Sequence, residues 1–289
     1  MTVLEVIQRS TDFLARKGVE SPRLQVELLL AHVLRVPRLQ LYLNFERPLV
    51  KTELEAIRGL VKRRGSREPL QHIVGATSFC GLELAVSPDV LVPRPETELL
   101  AEKAWRHLQA LASRGGARLT ALDFGTGSGC LALVLAAKCP AVEVCAVDIS
   151  PAALAVAQEN ARRHKLSERI RFFAGDGFAA LPPGLRFDLL VANPPYIPSG
   201  EIAQLQPEVR DYDPRLALDG GPDGLEFHRR LAREASAVLR ATGCAMLEFG
   251  DGQAEPVQEI FVAHKWIVER IEADYSGRPR FLTARVALC

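Results

Sequence analysis

The chain has 289 residues, 48% of them hydrophobic, which is enough for two domains with a sizeable core. A formal net charge of +1 gives no overall bias toward nucleic acid or a membrane surface, and the first ten residues, with Glu5, Gln8 and Arg9, hold no signal-peptide core. No apolar run approaches membrane-spanning length. The six scattered cysteines (Cys80, Cys130, Cys139, Cys145, Cys244, Cys289) form neither a C-x-x-C pair nor a metal spacing, so buried thiols in a reducing, cytoplasmic compartment are expected.

The charge is unevenly placed. Residues 1–75 carry 13 Lys/Arg against 8 Asp/Glu, a net of +5, and the remainder carries 23 against 27, a net of −4. Residues 1–70 predict a small helical bundle. Val3, Val6, Ile7, Ser10, Phe13 and Leu14 recur at helical spacing and stop at Gly18. Ser21-Pro22 offers an N-cap and a first-turn proline for a second helix. Thr52 and Glu55 have the spacing of a capping box for another. The basic run Lys62-Arg63-Arg64-Gly65-Ser66-Arg67 reads as a phosphate patch or, preferably, as cations complementing a helix C-terminus.

Residues 71–92 change character. Thr77-Ser78-Phe79, a Cys80-Gly81 turn and Leu82 to Val86 predict a β-hairpin linking two domains, 1–70 and 93–289. In Val92-Pro93-Arg94-Pro95-Glu96-Thr97-Glu98, Pro95 and the acids start a helix, and two prolines hold Arg94 rigidly enough to serve a site.

From residue 119 strands and helices alternate: strands at 119–124, 142–147, 170–173, 189–192, 244–249, 266–271 and 280–287, with helices between most of them. This predicts an α/β fold, a mostly parallel seven-stranded sheet with helices on both faces. The long stretch from Ile197 to Asp223 signals function or disorder.

Gly125-Thr126-Gly127-Ser128-Gly129 follows a strand and opens a helix, so backbone there can approach a ligand. Cys130 breaks the dinucleotide fingerprint, and no Gly-Lys-Ser/Thr follows to make a P-loop. Asp148, ending the next strand, suits two ribose hydroxyls, and Asp176, ending the third, suits the adenine side. A nucleoside with a charged amino-acid tail and no phosphate fits this set, namely S-adenosylmethionine. Capping of helices or turns is the alternative for each acid alone.

The strand Leu189 to Ala192 ends in Asn193-Pro194-Pro195-Tyr196. Two prolines can neither continue a ladder nor enter a helix, and each restricts the residue before it. Asn193 thus offers a side-chain carbonyl, Pro194 a fixed main-chain carbonyl and Tyr196 an aromatic face, a set suited to a planar –NH2 group. A plain turn after a strand is the other reading.

Leu122-Asp123-Phe124-Gly125-Thr126-Gly127-Ser128-Gly129 together with Asn193-Pro194-Pro195-Tyr196 resembles S-adenosylmethionine-dependent amino methyltransferases. Ser21-Pro22-Arg23, Val92-Pro93-Arg94-Pro95-Glu96-Thr97-Glu98 and Leu247-Glu248-Phe249-Gly250 narrow the resemblance, over essentially the whole chain, to the peptide-chain release factor glutamine N5-methyltransferases of the HemK/PrmC type. That resemblance implies a Rossmann-like methyltransferase domain behind an N-terminal helical bundle; the bundle's net charge of +5 and its lack of cofactor motifs make it the expected docking element for the substrate. The substrate would be the glutamine of the Gly-Gly-Gln motif in class 1 release factors, with no nucleic-acid substrate. Asn-Pro-Pro-Tyr is shared with DNA adenine methyltransferases, which keeps base amino-methylation as the alternative. By position, Gly125, Thr126, Gly127, Ser128 and Gly129 hold the methionine end, Asp148 the ribose, and Asp176 and Gly177 the adenine side. Asn193, also beside the cofactor, joins Pro194, Pro195, Tyr196 and Arg94 around the reacting glutamine, with Asn193, Pro194 and Tyr196 catalytic. Gly177 stands where a bulky aromatic is expected, and Phe178 is the expected replacement wall.

Overall fold

The helical spacing of the first 75 residues and the alternation beyond residue 119 each produce their own unit in the structure, a computed structural model that describes residues 1–115 and 118–287. Cys289, one of the thiols expected to be buried, lies outside the described residues. The first unit comprises Met1–Ala76 together with Gln206–Tyr212; the second is Thr77–Leu205 and the chain from Asp213 onward.

In the first unit, α1 (Val3–Arg16), α2 (Pro22–Leu34), α3 (Arg38–Leu43), α4 (Lys51–Gly65) and α5 (Leu70–Val74) surround a core that includes Val3, Ile7, Leu14, Leu29, Leu30 and Ile57. Thr2 and Glu5 close α1 with a reciprocal capping box. Two expected caps are corrected. Ser21 adopts a left-handed backbone and makes no side-chain cap bond, although Pro22 does open α2. Thr52 lies inside α4, because Glu53 reaches back to the Val50 N–H (3.0 Å) and starts the helix earlier.

The basic run that ends α4 does more than complement a helix end. Arg64, 3% exposed, donates to Gln25, to the Glu68 carbonyl (3.1 Å) and to Glu208 Oε1 (2.6 Å). Arg67 grips both oxygens of Glu208 at 2.6 Å, and the Tyr212 hydroxyl donates to Ser66 O (2.9 Å). Burial acts to raise the Glu208 carboxyl; hydrogen bonds from Arg67 and Arg64 outweigh it and bring it below the ordinary value.

The hairpin β1 (Ala76–Phe79) and β2 (Leu82–Ala85), of which all but Ala76 falls in the second unit, turns at Cys80 and Gly81, both with positive φ as a tight two-residue turn requires. Phe79 and Leu84 are buried in this unit's core. The order continues with α6 (Pro95–Ala112), β3 (Leu119–Phe124), α7 (Cys130–Lys138), β4 (Val142–Asp148), α8 (Pro151–Arg163), β5 (Ile170–Ala174) and β6 (Phe187–Ala192). After α9 (Pro207–Arg210), which belongs to the first unit, come α10 (Glu226–Glu234), β7 (Leu239–Glu248), α11 (Ala254–Ala263), β8 (Trp266–Ala273) and β9 (Pro279–Val286). The strand expected from Cys244 starts five residues earlier, because Leu239 pairs with Phe187 across an irregularity in register.

The seven-stranded sheet runs β5-β4-β3-β6-β7-β9-β8, parallel except at β9, which is antiparallel to both neighbours. Leu189 and Val191 enter the layer that contains Leu100, Leu133 and Leu135, whereas Leu190 and Ala192 enter the layer of Leu231, Val257 and Phe261. A strand buried on both faces accounts for the continuous apolar run in β6. The order reverses at β3, whose neighbours are β4 and β6. The carboxyl ends of these three strands therefore border the crevice in which open α/β sheets bind ligands.

Candidate active site

The glycine loop leaves β3 with Gly125, Gly127 and Gly129 all at positive φ. At Gly125 and Gly127 an added Cβ would meet nothing, so the backbone faces open space; at Gly129 it would strike Leu133 and Ala157. The first two glycines thus leave room for a ligand, and the third lets α7 pack closely. Asp148 shapes the loop as well as ending β4: its carboxylate accepts from Gly127 N (2.8 Å) and Ser150 N (2.9 Å). Thr126 and Ser128 are buried. The Thr126 hydroxyl donates to Asp123 Oδ2 (2.6 Å), which also accepts from Ala132 N (3.0 Å), tying the loop to the first turn of α7. Asp123 is wholly buried, and that burial pushes its carboxyl up to about 7 despite the hydrogen bonds from Thr126 and Ala132.

One cleft gathers Gly125, Thr126, Gly127 and Ser128 of the glycine loop with Arg94, Asp148, Asp176, Gly177, Asn193, Pro194 and Pro195; Gly129, expected beside the cofactor, is not among its lining residues. Its apolar walls are Val90, Phe124, Ile149 and Phe227. Phe178 is not among the lining residues; its ring packs on Phe124 (centroids 4.9 Å apart), which corrects the expected wall. Gly177 has φ +59, and a Cβ there would meet Phe124 and Arg230 within 2.9 Å. The space an aromatic would need is already filled. Asp176 pairs with Arg230, which also donates to its carbonyl (3.1 Å). Arg94 pairs with buried Asp213 and so stays at the rim as a held cation.

Tyr196 departs from expectation more sharply. It does not line the cleft. Its hydroxyl donates to Glu248 Oε1 (3.3 Å), its carbonyl accepts from Gln253 (2.9 Å), and its backbone lies against Gly220 and Gly224. It anchors the Asn-Pro-Pro-Tyr loop from behind. Asn193 Nδ2 donates to Thr97 Oγ1 (3.0 Å), and Thr97 donates to Glu248 Oε2 (2.8 Å). No described residue bonds Asn193 Oδ1, and Asn193 and Pro194 both line the cleft. The long stretch after Tyr196 is ordered by short helical turns and by pairing of Ile197 with Asp219, and its Pro214 and Leu216 reach the cleft.

Sequence reasoning assigned no role to Thr97, Asp123, Phe227, Arg230 or Glu248. Thr97, Asp123 and Glu248 stand inside the motifs that carry the resemblance, but only their burial and bonding reveal what they do.

These residues fit S-adenosylmethionine. The open backbone at Gly125 and Gly127, the Asp148 carboxylate and the apolar walls match a cationic amino-acid tail, a ribose and a flat base in turn. Fold and cleft define an S-adenosylmethionine-dependent methyltransferase.

Residues 5–75 match the family model for the PrmC N-terminal domain, and residues 104–206 match that for the methyltransferase small domain. The release factor glutamine methyltransferase of Geobacter sulfurreducens is 47% identical over 260 residues, spanning 90% of this chain and 88% of its own. That of Moorella thermoacetica is 41% identical over 285 residues, 98% of each chain. A methyltransferase crystal structure from Pyrococcus furiosus aligns at TM-score 0.55 and 20% identity over 78% of this chain and 99% of its own, a likeness of fold. The chain belongs to the release factor glutamine methyltransferase family. No helix among the described residues is long and apolar enough to cross a membrane.

Proposed function

We propose that this protein methylates the side-chain amide nitrogen of the glutamine in the Gly-Gly-Gln motif of class 1 peptide-chain release factors, modulating translation termination in the cytoplasm. The supporting observation is the state of Asn193: Nδ2 is bonded to Thr97, Oδ1 has no partner among the described residues, and both Asn193 and Pro194 line the cofactor cleft.

An amide nitrogen is a poor nucleophile, because its lone pair is delocalised into the carbonyl. When bound, S-adenosylmethionine supplies a methyl group activated by its sulfonium. Asn193 Oδ1 and Pro194 O accept the two N–H groups of the glutamine and fix its plane. Both acceptors also stabilise positive charge growing on nitrogen, without reorganising as it grows. Asp148 and the glycine loop hold the cofactor's ribose and methionine end, so that orientation supplies much of the acceleration. Tyr196 contributes by keeping the loop rigid.

The helical unit serves as the docking element for the release factor. Its net charge of +5 and the exposed Leu39 and Leu43 of α3 (72% and 85%) support contact with a protein surface. A net charge of −4 on residues 76–289 favours a protein over a nucleic-acid substrate. Tritium transfer from labelled S-adenosylmethionine tests the whole reading. Label should appear on intact release factor, disappear when its motif glutamine is replaced, and stay absent from DNA and RNA. Labelled nucleic acid with unlabelled release factor would refute it.

A further inference from the structure

A chain of hydrogen bonds runs from Asn193 through Thr97 to a buried acid. Glu248, at the end of β7, is 1% exposed, and its two carboxylate oxygens take the hydroxyls of Thr97 (2.8 Å) and Tyr196 (3.3 Å). His228 Nε2 bonds the Glu248 carbonyl (3.0 Å) and steadies the backbone there. Thr97 sits in the first turn of α6, itself 2% exposed. An isolated buried carboxylate is expensive, and apolar side chains could fill the same space at lower cost. The arrangement therefore calls for a reason beyond packing.

The reason lies in the direction of the protons. A threonine hydroxyl has one proton to give. An ionised carboxylate only accepts, so Thr97 must point its proton at Glu248 and keep its oxygen for an incoming donor. That donor is Asn193 Nδ2. With Nδ2 held by Thr97, Oδ1 is the unbonded edge of an amide that lines the cleft. A protonated Glu248 can instead donate to Thr97, whose proton then turns to Asn193 and favours the flipped amide. The flipped amide would present N–H donors to a substrate that itself offers N–H donors.

We propose that Thr97 and Glu248 are positioning residues, and that ionised Glu248 sets the polarity by which Asn193 presents its carbonyl to the substrate amide. This rests on the reading of Asn193 as an acceptor. The groups around the carboxyl come from several elements: Glu96 and Thr97 of α6, Tyr196 of the loop, and Arg280 of β9. Arg94 acts on Tyr196, and His228 of α10 bonds the main chain. Burial outweighs the bonds from Thr97 and Tyr196 and the charge of Arg280, and holds the carboxyl up at about 7. The polarity thus changes within the neutral range.

Turnover of full-length wild type, Thr97→Val, Thr97→Ser, Glu248→Gln and Asn193→Ala, with intact release factor at saturating S-adenosylmethionine, tests this across about pH 6 to 9. Thr97→Val keeps the shape but offers no acceptor; it should lower kcat about 10–100-fold with cofactor affinity unchanged by calorimetry. Thr97→Ser should restore most of that loss. Wild-type kcat should rise through about pH 7, and this step should vanish in Glu248→Gln. Wild-type turnover in Thr97→Val, alongside an impaired Asn193→Ala, would overturn the proposal while sparing the role of Asn193. A pH step retained in Glu248→Gln would likewise overturn it. Normal turnover in Asn193→Ala would instead remove the acceptor reading and the proposal together. Should Thr97→Val fail to fold, Glu248→Gln still decides through the pH profile.

Discussion

Gly129→Ala separates what the glycine loop does for the fold from what it does for the cofactor. Gly129 has φ +82, and an L-residue in left-handed backbone costs about 1–2 kcal/mol. Its new Cβ would stand 2.5 Å from Leu133 Cδ1 and 3.0 Å from Ala157 Cβ, with the Ala157 Cα at 3.3 Å. Leu133 is fully buried and α8 presents its backbone, so neither neighbour yields freely. Overpacking of this kind adds about 1–3 kcal/mol. The sum is about 2–5 kcal/mol, a large part of a domain's stability. Gly125→Ala is the matched control: φ is +72 but the space is open, so only the backbone cost of about 1–2 kcal/mol applies. Urea unfolding followed by tryptophan fluorescence is a suitable assay, because Trp105 and Trp266 both lie in the second unit. Calorimetry with S-adenosylmethionine supplies the other axis, on which Gly125→Ala should lose more affinity than Gly129→Ala. Equal destabilisation by the two substitutions would refute the close-packing role of Gly129.

Asp148→Ala should abolish measurable S-adenosylmethionine binding in calorimetry while the far-ultraviolet spectrum is retained; unchanged affinity would remove Asp148 from the site. Asn193→Ala should leave cofactor affinity intact and lower single-turnover methylation by about 10²–10³, as loss of a transition-state hydrogen-bond partner does. Glu208→Ala strands the buried guanidinium of Arg64 and should cost about 3–5 kcal/mol in denaturant unfolding of the first unit, with Glu208→Gln milder. The Glu248 carboxyl titrates at about 7 in the folded chain and at about 4.5 when unfolded, so the unfolded chain ionises first. Its contribution to stability is fully present below pH 4.5, falls as pH rises toward 7, and is constant above. Glu248→Gln should remove that part of the slope in a thermal-melt series, and an identical slope would show that Glu248 is not its source.

The parts of the site legible in the sequence are those made by neighbours in the chain. A strand, three glycines and a following helix specify the loop locally, and two prolines fix Asn193 and Pro194 without help from elsewhere. What escaped was set by distant partners. Thr97 and Glu248 are 151 positions apart, and Arg230 meets Asp176 across 54. Tyr196 has the same composition whether it faces a ligand or a buried carboxylate, and only the tertiary position of Glu248 decides. The caps failed differently: Thr52 and Glu55 have correct spacing, but Glu53 already satisfies Val50 and so claims the helix start. Phe178 is the obvious aromatic beside Gly177, yet Phe124, 53 positions earlier at the start of the glycine loop, occupies that space instead.

The ion pair between Arg64 and Glu208 also fixes an order of events during synthesis. Helices α1 to α5 leave the ribosome early, but the carboxylate that neutralises their buried arginine, on α9, lies 144 residues further along the chain. At about 5–20 residues per second that interval lasts roughly 7–30 s. Until then Arg64 has only the neutral Gln25 and a main-chain carbonyl as partners. The strands β3 to β6, with the glycine loop and Asn193, are all synthesised before Glu208 arrives. The amino-terminal unit is thus begun first but is not complete until four strands of the seven-stranded sheet have been made, and a nascent chain halted before Glu208 carries the whole Asn-Pro-Pro-Tyr loop on a protein whose helical unit still holds an unneutralised charge.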